Sequence, residues 1–595
     1  MKGGGLHEAM RSVSSFGPGG HATSHGSRNP AFSLKDEGSC AADWFGYGGA
    51  PKTRGGSLML RAAEDYRSVV RDFSWEIPPR FNIGRAVTEL PPAQSVALIE
   101  ISGDGGRRDW RFDDILAAAN RLANGLTSLG ARRGDRVGIL LSQSAACAIC
   151  HVAVYRAGLI AVPLFALFGP EALEYRLRDC GARFAVSDLE GLAKLLEIRQ
   201  RLPELRSILV ASGRGQSDTI DLDGLMERGS DRFDAVDTSA EDPALIIYTS
   251  GTTGPPKGAL HAHRVLLGHL PGVELPHDFF PRAGDRFWTP ADWAWIGGLL
   301  DVLLPSWFHG VAVVACRMAK FDPERAYELM HQLRVRNVFL PPTAAKLMRQ
   351  VGAPKLRPEL RTVASGGETL GAELLDWGRA TFGLAINEFY GQTECNLVVG
   401  NNAALFPVRP GSMGRAIPGH EVHVVDDAGV PVPTGEPGQI GIRQPDPVMF
   451  LGYWNRPDAT AAKFVGDWMT TGDQARIDEE GYLWFCGRDD DLITSSGYRI
   501  GPGEIENCLL GHPAVAMAAV VGVPDPVRTE LVKACIVLKP GTPPSDALKA
   551  ELQQFVKARL AAHEYPRIVE FRSSLPLTAT GKIIRRALRA SDGEI

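Results

Sequence analysis

This 595-residue chain lacks the sequence features of a membrane-spanning, a nucleic-acid-binding or a disulfide-stabilised protein. No apolar run reaches the roughly 18 residues of a membrane-spanning helix, and the longest candidate, residues 137–168, is interrupted by Ser142, Arg156 and Pro163. The net charge of -5 gives no basic signature of nucleic-acid binding. The nine cysteines form no paired framework, which favours free thiols in a reducing compartment such as the cytoplasm.

The N-terminal residues 1–58 have few aliphatic side chains and hold thirteen glycines and many serines. Such a composition cannot bury enough apolar surface to fold, so we expect a disordered N-terminal extension. It has neither the basic start nor the apolar core of a secretory signal, and its sparse arginines disfavour a transit peptide. Met59 is an alternative translation start beside Met1, and the sequence leaves both open.

From residue 59 onward, short apolar runs alternate with segments of helical spacing. The predicted helices are residues 112–129, 145–156 and 323–334, the last with Asp322 as its N-cap and Pro323 in its first turn. The predicted strands are residues 136–141, 160–163, 184–187, 207–211, 311–315 and 337–340. This alternation predicts an α/β fold with parallel sheets covered by helices on both faces. Hairpin patterns over 421–425 and 438–443 indicate a smaller β-subdomain, and the chain beyond Arg488 is typical of a compact α+β unit.

The stretch YTSGTTGPPKG, residues 248–258, concentrates groups that bind phosphate, and we call it the phosphate loop. Glycines let backbone N–H groups approach an anion, hydroxyls donate hydrogen bonds and lysine neutralises charge. The predicted phosphate ligands are Thr249, Ser250, Gly251, Thr252, Thr253, Gly254 and Lys257. An apolar strand precedes the loop and a helix beginning near His263 follows, so we expect a strand-to-helix turn. The spacing differs from a Walker A loop, and alone it is equally typical of a solvated surface loop.

Further stretches, in the same order along the chain, make it resemble the adenylate-forming superfamily, which includes acyl-CoA synthetases, luciferases and peptide-synthetase adenylation domains. They are ASGGETL (364–370, the adenine segment), EFYGQTE (388–394, the aromatic-acid segment), TTGD (470–473, the ribose segment), SSGYRIGPGEIE (495–506, the thiol loop) and LPLTATGKIIRR (575–586, the lysine segment). Residues 73–84 resemble the medium-chain enzymes, so the nearest resemblance is to the acetyl and medium-chain acyl-CoA synthetases.

The resemblance implies a large N-terminal domain of stacked αβα sheets with a β-subdomain, and a small mobile α+β C-terminal domain. On this sequence the large domain is expected over residues 59–488, with the β-subdomain at about 410–488, and the small domain over 492–595. Residues 489–491 then form the hinge, with Asp490 at its centre, because hinges are exposed loop positions that absorb dihedral change.

The resemblance also assigns roles in the nucleotide site. Tyr390 is implied to stack on adenine, Thr393 to donate to the α-phosphate, and Glu394 to hold Mg²⁺, a hard cation that prefers oxygen ligands. Asp473 and Arg488 are implied to bind the ribose hydroxyls. The remaining implied ATP and AMP ligands are Gly367, Glu368, Thr369, Glu388, Phe389, Gly391, Gln392 and Arg499.

Two half-reactions are implied: Mg-ATP and a carboxylate give an acyl-adenylate and pyrophosphate, and coenzyme A then takes the acyl group and releases AMP. Lys582 is implied to be catalytic in the first, since a lysine between two anions offsets their repulsion. Ser496, Gly497 and Tyr498 are implied to line the tunnel for CoA in the second. One small domain cannot present both groups at once, which is a reason for the hinge. Acylation of Lys582 would remove its charge, so we expect it as the target of a lysine-acylating regulator.

The acid is expected to be larger than acetate, most simply a medium-chain, branched or aromatic carboxylate. Acetate-specific relatives carry a tryptophan where this chain has Gly391, and we predict an acyl pocket formed by Trp295, Gly297 and Gly391. An aromatic cluster is equally typical of ordinary core. Two alternatives stay open: an adenylating enzyme that loads a carrier protein, although no carrier domain follows residue 595, and a non-catalytic nucleotide-binding homologue.

Overall fold

The computed structural model describes residues 58–590, except for residues 212, 214–217, 250–254, 319, 369, 489–490, 492, 496–497, 527, 561–563 and 578–582. The side chains of residues 494, 498, 499, 504 and 590 are likewise not described. The extension predicted for residues 1–58 therefore lies outside the described residues, apart from Leu58.

The strands of the described chain fall into three sheets. They are β1 Val96–Ile101, β2 Arg107–Arg111, β3 Arg136–Leu140, β4 Ile160–Pro163, β5 Phe184–Ser187, β6 Ser207–Val210, β7 Ile220–Asp221, β8 Pro243–Thr249, β9 Lys257–Ala262, β10 Arg286–Trp288, β11 Ala312–Cys316, β12 Asn337–Phe339, β13 Thr362–Gly366, β14 Ile386–Gln392, β15 Cys395–Gly400, β16 Ser412–Ala416, β17 Val422–Val425, β18 Gly438–Arg443, β19 Gly452–Tyr453, β20 Phe464–Val465, β21 Trp468–Ile477, β22 Leu483–Arg488, β23 Ile493–Ser495, β24 Tyr498–Ile500, β25 Val515–Asp525, β26 Thr529–Leu538 and β27 Ile568–Phe571.

The helices alternate with these strands, and a π-helical turn, Leu299–Leu303, separates α9 from α10. They are α1 Tyr66–Arg71, α2 Ile83–Glu89, α3 Phe112–Ser128, α4 Ala145–Arg156, α5 Pro170–Asp179, α6 Leu189–Ile198, α7 Leu222–Arg228, α8 Val265–Glu274, α9 Ile296–Gly298, α10 Leu304–Phe308, α11 Pro323–Gln332, α12 Pro342–Gln350, α13 Ala372–Phe382, α14 Pro457–Ala461, α15 Pro502–Leu510, α16 Asp546–Lys557 and α17 Arg585–Ala590. Within the described residues, none of them combines the length and apolarity needed to cross a bilayer.

The predicted α/β fold class is confirmed, and both faces of the main sheets are covered. Along β11, Val313 belongs to a large buried cluster shared with α3, α4 and α8, whereas Val314 belongs to a second cluster with α11, α12 and α13. Successive strand residues point to opposite faces, so this alternation requires helices on both sides. The first cluster also contains Val137 and Leu245 of the other sheet, so α3, α4 and α8 lie between two sheets.

The first sheet carries the phosphate loop. Its strand order is β19-β9-β8-β4-β3-β5-β6-β7, parallel from β8 through β7, with β9 antiparallel to β8. The expected strand-to-helix turn is wrong, because Thr249 pairs with Lys257 in antiparallel register and α8 begins only at Val265. Residues Lys257–Ala262 extend the sheet instead, since Leu260 is paired on one side with β8 and on the other with β19. The loop is therefore a hairpin connection anchored at both ends.

The second sheet joins the predicted β-subdomain to the large domain. Its order is β17-β18-β21-β22-β16-β15-β14-β13-β12-β10-β11-β1-β2, with β20 paired to β21. The strands from β14 to β1 run parallel, whereas those from β15 to β17 are antiparallel. The predicted hairpin, Val422–Val425 with Gly438–Arg443, is observed. Because β16 bonds both β15 and β22, the subdomain continues the ladder of the parallel sheet.

Local signals placed several helices accurately. Asp322 caps α11 as predicted, and its side chain accepts a hydrogen bond from the Arg325 backbone N–H at 3.1 Å. Pro323 occupies the first turn, where its missing N–H costs nothing. The C-terminal α+β unit forms the third sheet, ordered β24-β23-β26-β25 with β27 parallel to β26.

The start of the described chain is fastened to a buried carboxyl group. Glu274, at the end of α8 and fully buried, accepts hydrogen bonds from the backbone N–H groups of Met59 and Leu60 at 3.1 and 2.7 Å. His309 Nε2 lies 3.0 Å from the same carboxyl group. Main-chain donors satisfy a buried carboxyl group that would otherwise be costly, so residues 59–60 belong to the globular body.

Candidate active site

Three of the predicted segments lie in the second sheet and around the carboxyl ends of its parallel strands. The adenine segment begins in β13 and continues beyond it, the aromatic-acid segment is the end of β14 and its turn, and the ribose segment lies in β21. The strand that follows the phosphate loop, β9, is connected to the same region through β19. Tyr453 of β19 pairs with Ala259 of β9 and contacts Glu394 of the aromatic-acid segment. Carboxyl ends of parallel strands are the usual place for ligand sites in α/β sheets.

Asp473 is the centre of a hydrogen-bond network. Its Oδ2 accepts from the Tyr390 hydroxyl at 2.6 Å and from Gln392 Nε2 at 2.7 Å, and Arg488 Nε lies 3.4 Å from Oδ1. Asp473 and Arg488 are directly opposed in β21 and β22. Burial, and then the neighbouring Asp473 carboxylate, raise the pKa of Tyr390 well above its usual value. Tyr390, Gln392 and Arg488, all predicted nucleotide ligands, thus contact the carboxylate of Asp473, which is predicted to bind the ribose.

Glu394 and Lys257 are linked through one residue that sequence reasoning missed, Tyr453. The Tyr453 hydroxyl donates to Glu394 Oε1 at 2.5 Å, and Lys257 Nζ lies 5.1 Å from the centre of the Tyr453 ring. Burial, and then the Glu394 charge, raise the pKa of Tyr453 above its usual range. The only sequence signal is an aromatic residue in the run FLGYW, which is also typical of core.

The chemistry around Glu394 fits Mg²⁺. Within the described residues, no group of three or more His, Cys, Asp or Glu side chains could hold a metal. The described part of this region therefore contains no metal site made of protein ligands alone. Mg²⁺ characteristically binds through one or two carboxylates together with substrate phosphates and water. Tyr453 orients one oxygen of the Glu394 carboxylate, which suits a single protein ligand of this kind.

The adenine segment is shaped by glycine and by a buried acid. Gly367 has φ +94°, and a Cβ there would lie 3.2 Å from the Trp295 indole, so only glycine fits without strain. Glu388 is buried and accepts from the Leu370 backbone N–H at 3.3 Å. Burial raises the pKa of Glu388 to about 8. Glu388 therefore supports the backbone of the segment, while Glu368 accepts from the Thr343 hydroxyl at 3.1 Å.

The space that a side chain would fill at the predicted acyl-pocket glycines, Gly391 and Gly297, is already occupied. A Cβ on Gly391 would lie 2.3 Å from Leu397 N and 2.6 Å from Asn396 Cα, so β15 backbone occupies that side. A Cβ on Gly297 would lie 3.0 Å from both Trp295 and Phe339. The structure therefore shows no free space at Gly391 that would accommodate a larger acid. The assignment of the acyl pocket stays a prediction.

A sequence model of the AMP-binding enzyme family matches residues 86–454, and that of the AMP-binding enzyme C-terminal domain matches residues 504–582. The chain belongs to the AMP-binding enzyme family. It is 37% identical over 489 residues to the acetyl-coenzyme A synthetase of Bacillus subtilis (strain 168), covering 81% of this chain and 85% of that protein.

Two further proteins similar to this chain are named as an acyl-coenzyme A synthetase and an anthranilate CoA ligase. The mitochondrial acyl-coenzyme A synthetase ACSM2B of Homo sapiens is 36% identical over 535 residues, covering 86% of this chain and 91% of that protein. The crystal structure of the anthranilate CoA ligase AuaEII in complex with anthranoyl-AMP superposes with a TM-score of 0.80 at 32% identity, covering 87% of this chain and 98% of that one. The predicted resemblance and the two-domain fold are confirmed by these matches.

Several predicted site residues of this AMP-binding enzyme lie outside the described residues. They are Ser250, Gly251, Thr252, Thr253, Gly254, Thr369, Asp490, Ser496, Gly497 and Lys582, together with the side chains of Tyr498 and Arg499. Thr249 is described, and its hydroxyl lies 3.4 Å from the Lys257 carbonyl oxygen as a hydrogen-bond donor. Thr393 and Phe389 are described in β14 and the turn that follows it.

The flanks of the lysine segment are placed within the C-terminal unit. Leu577 and Ile583 form an antiparallel bridge, and the Ile584 N–H donates to the Pro576 carbonyl at 2.9 Å. Helix α17 follows at once and begins with Arg585, which contacts Asp491, the last residue of the predicted hinge, at 3.2 Å. Sequence reasoning missed this contact, because nothing local pairs two residues 94 positions apart.

Proposed function

We propose that this enzyme is an AMP-forming acid–CoA ligase that activates a carboxylic acid with ATP and passes the acyl group to coenzyme A. In the first step a carboxylate oxygen attacks the α-phosphorus, a new O–P bond forms, and the bond to the bridging oxygen breaks to release pyrophosphate. In the second step the CoA sulfur attacks the acyl carbonyl, the thiol proton is lost, and the bond to AMP breaks. Its homologues named above are acetyl-CoA and acyl-CoA synthetases that match most of this chain.

The observation that carries the proposal is the joining of Lys257, Tyr453 and Glu394 beside the Asp473 network. Lys257 is suited to hold the β- and γ-phosphates that leave as pyrophosphate, because a lysine is a compact charge. Glu394 would hold Mg²⁺, which neutralises polyphosphate charge during the transfer. This set of charged groups argues against a non-catalytic nucleotide-binding homologue.

The reacting centre belongs to residues at two distant positions of the chain. Thr393 follows β14 and is suited to donate a hydrogen bond to the α-phosphate, and Tyr390 to contact the adenine. Lys582 supplies positive charge to the carboxylate and α-phosphate in the transition state, where preorganised charge is most effective. We assign the large domain to residues 59–488, the hinge to 489–491 and the small domain to 492–595, with Asp490 as the pivot.

The second half-reaction uses the thiol loop instead of the lysine segment. Ser496, Gly497 and Tyr498 line the path of the pantetheine arm, and Arg499 contacts phosphate. A rotation at residues 489–491 exchanges the two, because both belong to one small domain. Free CoA is the proposed acceptor, with the phosphopantetheine arm of a carrier protein as the alternative.

The acid that we propose is larger than acetate: medium-chain, branched or aromatic, as in fatty acid metabolism. The relatives named above include acetyl, acyl and anthranilate enzymes, so the family accommodates this range. Trp295 supports an aromatic or apolar pocket wall, because its ring lies 5.7 Å from the Phe339 ring, next to Gly297 and Gly367.

The compartment and the regulation are proposed on chemical grounds. All eight cysteines of the described residues are free thiols, which suits the reducing cytoplasm. Acylation of Lys582 by a regulator would remove the charge that the first half-reaction needs.

The test is acid-dependent pyrophosphate release, measured across acetate, hexanoate, 2-methylpropanoate, benzoate and anthranilate, with and without CoA. We expect turnover only with CoA, and the highest kcat/KM for an acid larger than acetate. No release with any acid would overturn the ligase proposal. Turnover of acetate equal to that of hexanoate would overturn the proposed acid class alone, and acyl transfer to a phosphopantetheinylated carrier but not to CoA would select the alternative.

A further inference from the structure

A cavity of about 330 Å³ lies at the amino ends of β10 and β12, lined by Gly284, Arg286, Arg334, Arg336 and Glu359. Arg286 is the first residue of β10, and Arg336 directly precedes β12, which runs parallel to it. The candidate active site follows the opposite, carboxyl ends of the same parallel strands. The cavity is therefore separate from the catalytic groups.

The three guanidinium groups of this cavity have no carboxylate partner within the described part of the chain. Arg286 donates to the Leu333 carbonyl, and Arg336 Nε is buried without a hydrogen-bond acceptor. Glu359 is the one carboxylate among the lining residues, and no ion pair joins it to the arginines in the described chain. Burial, and then the charge of Arg107, lower the pKa of Arg286.

The nearest acidic residues are already engaged elsewhere. Asp285 accepts two hydrogen bonds from Arg361, at 2.9 and 2.6 Å. Asp109 accepts two from Arg107, both at 2.7 Å. Both carboxylates are therefore paired with arginines outside the cavity. The charge of Asp109 still acts on Arg286 and opposes the lowering of its pKa, whereas no ion pair joins a carboxylate to Arg334 or Arg336 in the described chain.

Two further observations extend the basic lining. Arg334 has φ +51°, a backbone conformation that side-chain-bearing residues seldom adopt. A second cavity of about 240 Å³ includes Arg107 and Arg325 in its lining, together with Leu333, whose carbonyl accepts a hydrogen bond from Arg286. Guanidinium groups gathered around one space repel each other unless an anion lies between them.

We propose that the cavity lined by Arg286, Arg334 and Arg336 binds the phosphate groups of a small phosphorylated molecule. Planar guanidinium forks match phosphate oxygens in paired hydrogen bonds, and several around one space suit a group with more than one charge. A volume of about 330 Å³ accommodates pyrophosphate or part of a nucleoside bisphosphate. The proposal does not depend on the proposed function, because it uses none of the same residues.

The test is calorimetric titration of the full-length protein with inorganic pyrophosphate and, separately, with adenosine 3′,5′-bisphosphate. The Lys257→Ala variant removes binding by the phosphate loop and isolates the cavity. In that background, adding Arg334→Gln and Arg336→Gln should weaken the remaining binding about tenfold or more. Arg379→Gln, an exposed arginine paired with Asp376, is the matched control and should change nothing.

A second variant keeps the test decisive if the double substitution impairs folding. Glu359→Gln removes the carboxylate from the lining and should tighten phosphate binding about threefold. Tighter binding of pyrophosphate than of the bisphosphate identifies the inorganic anion as the ligand, and the reverse order identifies the nucleotide. Loss of all binding in Lys257→Ala alone, unchanged affinity in Glu359→Gln, or equal competition by a glutamate-rich peptide would each overturn the proposal.

Discussion

Arg585 holds the carboxylate of Glu506 through two hydrogen bonds, at 2.9 and 2.8 Å. The same guanidinium group reaches Asp491 at 3.2 Å, and Arg589 adds a contact to Asp491 at 3.1 Å. Helix α17 begins three residues after Lys582, and α15 contains Glu506 at the end of the thiol loop. Asp491 is the last residue of the proposed hinge. The two segments that we propose for the two half-reactions are thus joined at one cluster.

Arg585→Gln should destabilise the C-terminal unit by about 3 kcal/mol, because it leaves the Glu506 carboxylate without its cation, while Asp491 keeps only Arg589. Adding Glu506→Gln should recover part of the lost stability, since it removes the carboxylate charge that Arg585 no longer neutralises. Urea unfolding of the full-length chain measures both variants. Arg379→Gln on the surface of α13 serves as control and should stay within about 0.5 kcal/mol. Equal stability of Arg585→Gln and the wild type would contradict a stabilising role for the cluster.

Lys582→Ala should abolish acid-dependent pyrophosphate release while largely sparing thioester formation from supplied acyl-adenylate. The lysine charge is needed where two anions meet, and the second half-reaction has no such encounter. Single-turnover measurements of each half-reaction give the comparison. Lys549→Ala, in a surface pair with Asp546, is the matched control. Equal loss of both half-reactions would refute the assignment.

Tyr453→Phe separates the two contacts of this residue. It removes the hydrogen bond to Glu394 but keeps the ring beside Lys257, so adenylate formation should fall about tenfold, as expected for a bond to a charged group worth about 1.5 kcal/mol. The Mg²⁺ concentration for half-maximal rate should rise as well. Tyr453→Leu should reduce the rate of adenylate formation further, because it also removes the contact between the ring and Lys257.

The control for this pair of variants is Tyr565→Phe, which changes a half-buried tyrosine of the C-terminal unit. Its adenylation rate and Mg²⁺ dependence should match those of the wild type. A Tyr453→Phe enzyme with wild-type Mg²⁺ dependence would show that orientation of Glu394 is unimportant for the metal.

Glu388 makes the stability of the large domain depend on pH. Its folded-state pKa of about 8 exceeds the usual value of 4.5, so the folded protein retains a proton that the unfolded chain has lost. Stability should therefore fall as the pH rises between those values, by up to about 1.4 kcal/mol per pH unit. Glu388→Gln should flatten this slope in urea titrations from pH 5 to 8. Glu324→Gln, exposed on α11, should leave it unchanged, and an identical slope in both variants would disprove the prediction.

Local patterns were sufficient for most elements of the fold. Apolar periodicity placed α4, and the Asp322-Pro323 pair placed the start of α11, because these signals depend only on neighbours along the chain. The helix expected near His263 is present, beginning at Val265, but the strand between it and the phosphate loop was not predicted. Residues Lys257–Ala262 are a strand because β8 and β19 lie on either side of them, and tertiary pairing overrides local preference.

The motifs predicted which residues belong to the site but not how they contact each other. Tyr390 was expected to contact adenine, and the structure adds its hydrogen bond to Asp473, 83 positions away. The Tyr453 contact with Glu394 spans 59 positions and carries no pattern of its own. Room beside Gly391 could not be judged from composition either, since it depends on the backbone path of β15.

The contacts of the buried Glu274 carboxyl group determine how many N-terminal residues can be removed without loss of stability. Backbone N–H groups make the contacts, so exchanging the side chain of Met59 should matter little, whereas cutting the chain after Leu60 would leave Glu274 with His309 alone in a dry interior. A trimmed version that retains residue 58 should keep its melting temperature, and fusion partners are best attached ahead of that point.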